Sequence, residues 1–508
     1  MLSSISEKEA IVASDPVELK PLATHGGKDN ALTFLERHQD ERIEADAATL
    51  RRLRRKVDYM VIPFLMFCYA LNFIDKVLLN YAAVMGLNQS LQLKGDEFSK
   101  ASSSFFIAVL IAALLNTYPL QKCPTGKWLG LSLILWGIST ACHATVKNFV
   151  GLVVVRVLSG IFEAGLPPAL MLLSAQYYTR QEQTSRFSLW FLGMGLGQIL
   201  GGLISFAFQH VPSSSALAGW KVMFVVLGLI TMLFGVSVCV FVPDTPMTAR
   251  FFTDQEKVMI LEHTKVNQVG VVNRKWRTKE IFEACLDVQF WLMFGAILLQ
   301  GTGGGTITSY SAQLLRSFGF TPKQAALLNM PSGVINMCSS LVTGFGPRRY
   351  GNRWFFSILV MSVGVMGASM MSFIDAGNRG GLLAGLYLAN FFIGVTPLNF
   401  QWITGNTAGH TKRAFTTTAM NAAFAIGNIV GPETFKVKDA PMYKPAKISL
   451  VATWSSSAGC LLLLVGYYHF ANNWRVMATK EDAEVANDVA YAGMTDKENP
   501  HFSTWHSI

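Results

Sequence analysis

Four ionisable residues interrupt two otherwise apolar stretches: Asp75 and Lys76 within Leu71–Gly86, and Arg156 and Glu163 within Arg156–Gly165. A charge inside a membrane-crossing helix costs about 2.5–3.5 kcal/mol on insertion scales, so it faces protein or a wet cavity. Asn72, Lys76 and Asn80 are spaced i, i+4, i+8 and make one polar stripe on a helix. Asp75 projects about 100° away from that stripe, so the adjacent Asp75 and Lys76 do not pair face to face. Arg156 and Glu163 stand two turns apart, ~10 Å along the axis, and are better placed to engage other partners than each other. An arginine offers a carboxylate two parallel hydrogen bonds and a lysine offers it a point charge. A carboxyl desolvated in a cavity can bind and release protons. Lys76, Arg156 and Asn80 are therefore candidate contacts for an anion, and Glu163 and Asp75 candidate proton carriers. The same four charges also suit a structural network bridging their two helices.

Further polar groups lie in the second half of the chain. Gln300, Thr302, Thr306 and Tyr310 give one apolar stretch a polar face, and Asn399 and Gln401 sit in another. Gln300, Tyr310 and Asn399 complete the candidate substrate contacts, with helix–helix hydrogen bonding as the competing role for each. Gly301-Thr302-Gly303-Gly304-Gly305 matches neither GxxxxGK nor GxGxxG and lies in an apolar stretch, where it is expected to let the helix bend. Gly193, Gly197 and Gly201 are spaced GxxxG, a pattern for close helix approach. Nine histidines show no HExxH spacing, and seven dispersed cysteines read as free thiols with neither metal nor disulfide framework. With no nucleotide-hydrolysing motif and no cofactor, energy comes from an ion gradient or transport is passive.

These residues need helices that cross a bilayer. The 508-residue chain is 51% apolar and 15% charged, against about 25% charged in soluble domains, with mean hydropathy +0.35. Apolar stretches long enough to span a bilayer (about 20 residues) are expected near 58–84, 98–120, 127–146, 149–177, 187–209 and 219–242. Six more are expected near 288–312, 324–345, 354–374, 381–404, 414–435 and 447–471. Backbone satisfaction in lipid then requires helices. The reading is an all-α membrane protein of twelve transmembrane helices in two six-helix bundles, 57–242 and 288–471. They are flanked by a disordered N-terminal tail (1–56), a polar central loop (243–287) and a C-terminal tail (472–508). No apolar segment opens the chain, so no cleavable signal is expected. The net charge of +10 sits in short loops beside the spans, which excludes a nucleic-acid surface. With the N-terminus inside, and leaving aside the tail bases farther from the membrane, 23 Lys/Arg fall on the inner side and eleven on the outer. The positive-inside rule thus places both termini and the central loop in the cytoplasm. Loop 11–12, with Lys436, Lys438, Lys444 and Lys447, is the exception.

The halves echo each other. Gly165-Leu-Pro-Pro168 and Gly394-Val-Thr-Pro397 are offset by 229, Gly197 and Gly427 by 230, and Trp128 and Trp354 by 226. Such a six-plus-six repeat is the plan of major facilitator transporters. Gly344-Phe-Gly-Pro-Arg348-Arg349-Tyr-Gly351-Asn-Arg353 resembles that superfamily's cytoplasmic loop signature, with Arg348 where an acid belongs. Its first-half counterpart keeps only Gly126 and Lys127. Pro243-Asp244-Thr245-Pro246 resembles the superfamily's exit from span six, with Asp244 and Thr245 expected to cap the next helix. Together with the strings around Asp75-Lys76 and Arg156–Gly165, and with Gly405-Asn406-Thr407-Ala408-Gly409-His410-Thr411-Lys412-Arg413, these resemble the fungal anion:cation symporter family typified by allantoate permease. The resemblance covers roughly residues 57–471. It implies proton-coupled uptake of ureides, vitamins or carboxylates.

The expected function is thus a secondary transporter, not an enzyme, carrying a small organic anion with a proton by alternating access. It is expected as a monomer in the plasma membrane. A non-transporting nutrient sensor, or a carrier of a non-anionic nutrient, is the alternative; short tails, 56 and 37 residues, favour transport over sensing.

Overall fold

The structure is a computed structural model describing residues 46–212, 217–265, 277–407, 410–440 and 443–478. Most of the expected N-terminal tail (1–45), part of the central loop (266–276) and most of the C-terminal tail (479–508) lie outside the described residues. The first half contains α1 (Ala47–Val84), α2 (Glu97–Lys122), α3 (Thr125–Cys142), α4 (Phe149–Glu163), α5 (Leu166–Tyr177), α6 (Arg180–Phe208) and α7 (Gly219–Phe241). Between the halves stand α8 (Asp254–Lys265) and α9 (Thr278–Cys285). The second half contains α10 (Val288–Ser317), α11 (Pro322–Leu328), α12 (Met330–Tyr350), α13 (Arg353–Phe373), α14 (Arg379–Ala389), α15 (Val395–Gly405), α16 (His410–Glu433) and α17 (Lys444–Ala478). Each of the twelve expected spans coincides with a helix or a consecutive pair. Ten are long and apolar enough to cross a membrane; α3 and α16, diluted by Lys127 and by polar residues such as Thr416, Thr417 and Asn421, complete the set.

Span eight is interrupted at Asn329, between α11 and α12, and spans four and ten break at corresponding places of the two halves. Span four breaks between α4 and α5 at Ala164-Gly165; span ten passes from α14 through a 3-10 turn, Asn390–Gly394, into α15. Both breaks fall on the matched Gly/Pro strings of the sequence repeat. A proline leaves one carbonyl without its helical partner, so repeated prolines place repeated breaks.

Lipid offers helices little hydrophobic drive to associate, so small residues set the packing. One side of α6 presents Gly193 and Gly197 to the α1 backbone at Met66–Ala70, and another presents Gly195 to Gly333 of α12. A Cβ at any of these would collide with backbone. The glycine cluster of α10 does the same work: Gly301 and Gly305 meet α16, Gly303 meets the Trp454 indole and Gly304 the Phe392 ring. The helix runs unbroken through them, and this close packing accounts for the cluster.

The face holding the start of α1 and the end of α17 is called near, and its opposite far. On the near face α1 begins at Ala47, so the basic cluster Arg51–Lys56 is helical rather than the end of a disordered tail. Arg54 pairs with Glu182 at 2.6 Å and Lys56 with Glu256 of α8 at 2.6 Å. His263 of α8 reaches Glu182 at 3.1 Å. Burial alone would raise the Glu182 carboxyl, but the Thr179 N–H, His263 and Arg54 outweigh it and hold it below the usual carboxylate range. Asp244 does not cap the helix after it. Its Oδ1 accepts from the Lys127 N–H at 3.1 Å and so caps α3, while Thr245 opens a short 3-10 turn. At the loop after α12, Gly351 takes φ +83° and ends the helix; the Arg348 side chain lies outside the described residues.

Two near-face struts repeat between the halves. Asp58 of α1 receives Arg186 of α6 through Nε at 3.3 Å and Nη2 at 3.2 Å. Asp287, before α10, receives Lys412 of α16 at 3.1 Å, and Glu283 receives the same ammonium at 2.9 Å. Glu280 of α9 also accepts the Thr411 and Lys412 N–H groups at 3.0 Å each, capping α16. The acids are offset by 229 residues and the bases by 226.

Candidate functional site

Between residues 70 and 84 of α1 every residue is buried except Lys76, whose side chain is 23% exposed. An ammonium that meets solvent from the middle of a buried helix is within reach of a dissolved solute. Its Nζ lies 2.9 Å from Glu163 Oε1 of α4 and donates to Asn72 Oδ1 at 2.5 Å. Asn72 Nδ2 in turn donates to the same Glu163 oxygen at 2.6 Å. The polar stripe of α1 thus ends on a carboxylate that is 3% exposed.

Asp75, on a different face, meets Arg156 with Nη1 to Oδ2 at 3.6 Å. Its Oδ1 accepts from Thr140 of α3 at 3.0 Å. The guanidinium lies 4.6 Å over the Phe105 ring of α2, which favours the cation electrostatically. The pairing is the one that the spacing anticipated: Asp75 and Lys76 take separate partners, and so do Arg156 and Glu163. Both pairs join α1 to α4, so the network holds the bundle together as well as lining it.

The cluster retains capacity that its own members do not use. Glu163 Oε2, Asp75 Oδ2, and Arg156 Nε and Nη1 are buried without a hydrogen-bond partner. A buried polar atom left unmatched costs about 1–3 kcal/mol, more when charged. Four such atoms beside one solvent-reaching ammonium can accept a ligand that brings both an acceptor and a proton.

The other candidates stand elsewhere. Asn80 hydrogen-bonds Ser311 of α10 at 3.0 Å, and Tyr310 bonds Ser99 of α2 at 2.6 Å; both belong to a far-face seal between the halves. Ser102 and Ser309 (2.9 Å), and Ser103 and the Ile429 carbonyl (3.0 Å), extend that seal. Gln300 donates to Thr396 at 2.8 Å and accepts from Asn399 at 3.3 Å, while Asn399 Oδ1 accepts from Ser357. These buried groups join α10, α13 and α15, as helix–helix bonding would have it. Thr306 bonds the Gly431 carbonyl of α16 at 2.9 Å.

Sequence reasoning missed Thr140, His143 and Phe105. His143 is fully buried, stacks on Phe224 at 4.5 Å, and places Nδ1 3.2 Å from the Ser139 and Thr140 carbonyls, which requires the proton on Nδ1. Nε2 is left without a partner. Polar residues three apart in an apolar span, Thr140 and His143, were the available signal.

Comparison with known proteins agrees with this architecture. Residues 65–432 match the Major Facilitator Superfamily. The chain is 34% identical to the thiamine pathway transporter THI73 of Saccharomyces cerevisiae, over 89% of this chain and 86% of that protein. It is 31% identical to the allantoate permease of the same yeast, over 97% and 94%. Among solved structures, the partially occluded, inward-open xylose transporter XylE from E. coli superposes with TM-score 0.61 at 15% identity, covering 80% of this chain and 99% of that one.

Proposed function

Because the chain belongs to the major facilitator superfamily, in the allantoate permease-like group of fungal transporters, we propose that it carries a small organic anion together with a proton. The observation carrying this reading is the solvent-reaching Lys76 ion-paired to the buried Glu163, with Arg156 and Asp75 beside them. The four charges sum to zero. An anion entering alone would leave one uncompensated buried charge, which low-dielectric surroundings penalise heavily. An anion entering with a proton restores zero, so the loaded site can change its exposure as readily as the empty one.

In this mechanism Glu163 takes the proton and releases Lys76. Lys76 and the free Arg156 N–H groups then hold the substrate carboxylate. Arg156 supplies the paired donors and Lys76 the point charge. Asp75, fixed by Thr140, orients the guanidinium between substrates. The far-face seal opens to load the site and closes to release it towards the near face, with both termini in the cytoplasm of a plasma-membrane protein. Names of relatives span allantoate and the thiamine pathway, so ureides, carboxylates and vitamins form the test panel. Uptake of that labelled panel into cells should accelerate as external pH falls and collapse with a protonophore. Initial rates equal in acid and neutral medium, insensitive to protonophore, would refute proton symport.

A further inference from the structure

The loop between α16 and α17 departs from the charge distribution of every other part of the chain. Lys436, Lys438, Lys444 and Lys447 stand there against Asp439 as the one acid between 436 and 447. Lys436, Lys438 and Lys444 are exposed, whereas Lys447 is buried with its ammonium 4.9 Å over the Phe318 ring. Arg316 of α10 adds a fifth base, within electrostatic reach of Tyr443. None of the five has an ion-pair partner among the described residues. Among the described residues the ion pairs lie on the near face or in the α1–α4 cluster.

These bases flank the far-face seal rather than the lipid perimeter. Tyr310 stacks on Phe435 at 4.1 Å and Phe435 on Tyr443 at 4.0 Å, with Lys436 and Lys444 the next residues in sequence. The Lys447 N–H bonds the Tyr443 carbonyl at 3.1 Å, which fixes the loop to the stack. Unpaired like charges repel one another, and bases on this face run against the distribution that orients the chain. Glu433 and Asp96 stand within electrostatic reach of the same stack, at Tyr310; the five bases outnumber these two acids and Asp439 by two, and that surplus draws its counterion from solution.

We propose that the five bases form an anion-collecting vestibule, a binding site for small carboxylate-bearing solutes directly above the closed seal. It rests on the anion-transport reading and adds to it a second site, outside the α1–α4 cluster, that acts before the seal parts. Clustered charge of one sign raises the local concentration of an opposite ion, and salt screens the effect.

The test reads the field directly. The full chain, with its seven cysteines changed to Ser and the exposed Ala440 changed to Cys, is reconstituted in neutral phosphatidylcholine vesicles. Modification rates are compared for a sulfonate-bearing and a trimethylammonium-bearing methanethiosulfonate. The anionic reagent should be favoured at low ionic strength, and Lys436→Gln, Lys438→Gln and Lys444→Gln together should cut the rate ratio about tenfold. A ratio unmoved by the triple substitution overturns the vestibule. A rate ratio that phosphatidylglycerol lowers more in the parent protein than in the triple variant also overturns it, because lipid headgroups would then be the occupants; the variant removes the effect of the membrane's own surface potential. If the cysteine-free chain does not assemble, the triple substitution in the native background decides instead. It should raise KM for a transported carboxylate several-fold at low salt with kcat unchanged, and an unchanged KM refutes the proposal. An intact anionic advantage in a protein that takes up no carboxylate counts against the transport reading alone.

Discussion

In the proposed mechanism Arg156 and Glu163 hold different halves of the load, so substitution should separate them. Arg156→Lys keeps the charge but loses the paired donors, so substrate binding should weaken. A lost charge-assisted contact in a desolvated site is worth about 2–5 kcal/mol, roughly 30-fold or more in affinity. Well-expressed Arg156→Lys protein with unaltered affinity in a binding titration would exclude the clamp. Glu163→Gln should retain exchange of substrate across proteoliposome membranes and lose accumulation driven by a proton gradient. A purely structural network predicts instead that both variants fail to assemble. The sequence made this cluster legible, since charges in apolar stretches are expensive and helical spacing assigned them to separate partners. It did not reveal Thr140 or His143, because neutral polar residues are cheap in a span and carry no such warning. Nor could it separate Gln300 and Asn399, spent on each other, from residues that reach solvent.

At the level of helices, the near-face contacts differ sharply in burial. Lys412 is 1% exposed and Asp287 2%, and replacing one partner of such a pair costs about 3–5 kcal/mol. Lys56 and Glu256 are 34% and 25% exposed, a class of pair worth about 0–1 kcal/mol. Lys412→Met should therefore lower the melting temperature in a thermal size-exclusion assay far more than Lys56→Ala; equal shifts would contradict the burial. Acid should act on α8. The folded Glu182 and Glu256 carboxyls both lie below the ordinary range: burial opposes this, but hydrogen bonds from Thr179 and Thr253 N–H groups, His263 and Lys56 prevail. Their contribution is complete above the unfolded carboxylate value and disappears as pH falls through the folded one. Amide protection factors over Asp254–Lys265, taken relative to the intrinsic exchange rate at each pH, should fall below about pH 4; factors that stay level down to about pH 3 would contradict it. Helix positions were readable from hydropathy, yet these contacts were not. The basic cluster before span one looked like topological charge because its partners, Glu182 and Glu256, lie more than a hundred residues away.

For the molecule as a whole, alternating access requires the far-face seal to part. Ser102 and Ser309 hydroxyls stand 2.9 Å apart across the two halves, close enough for cysteines there to bridge. Oxidised Ser102→Cys/Ser309→Cys protein should stop transporting and recover on reduction; transport by verified cross-linked protein would rule out opening at this seal. The repeat predicted two equivalent bundles, and the matched breaks in spans four and ten agree with that. The struts carry the symmetry further and then depart from it. Asp58 and Arg186 are 28% and 15% exposed, whereas Asp287 and Lys412 are all but dry. Dissolved ions shield wet charges over a length of about 8 Å at physiological strength and scarcely reach dry ones. Salt on the near face is thus a half-selective plasticiser: raising it should loosen the wet strut of the first bundle and spare the dry one of the second.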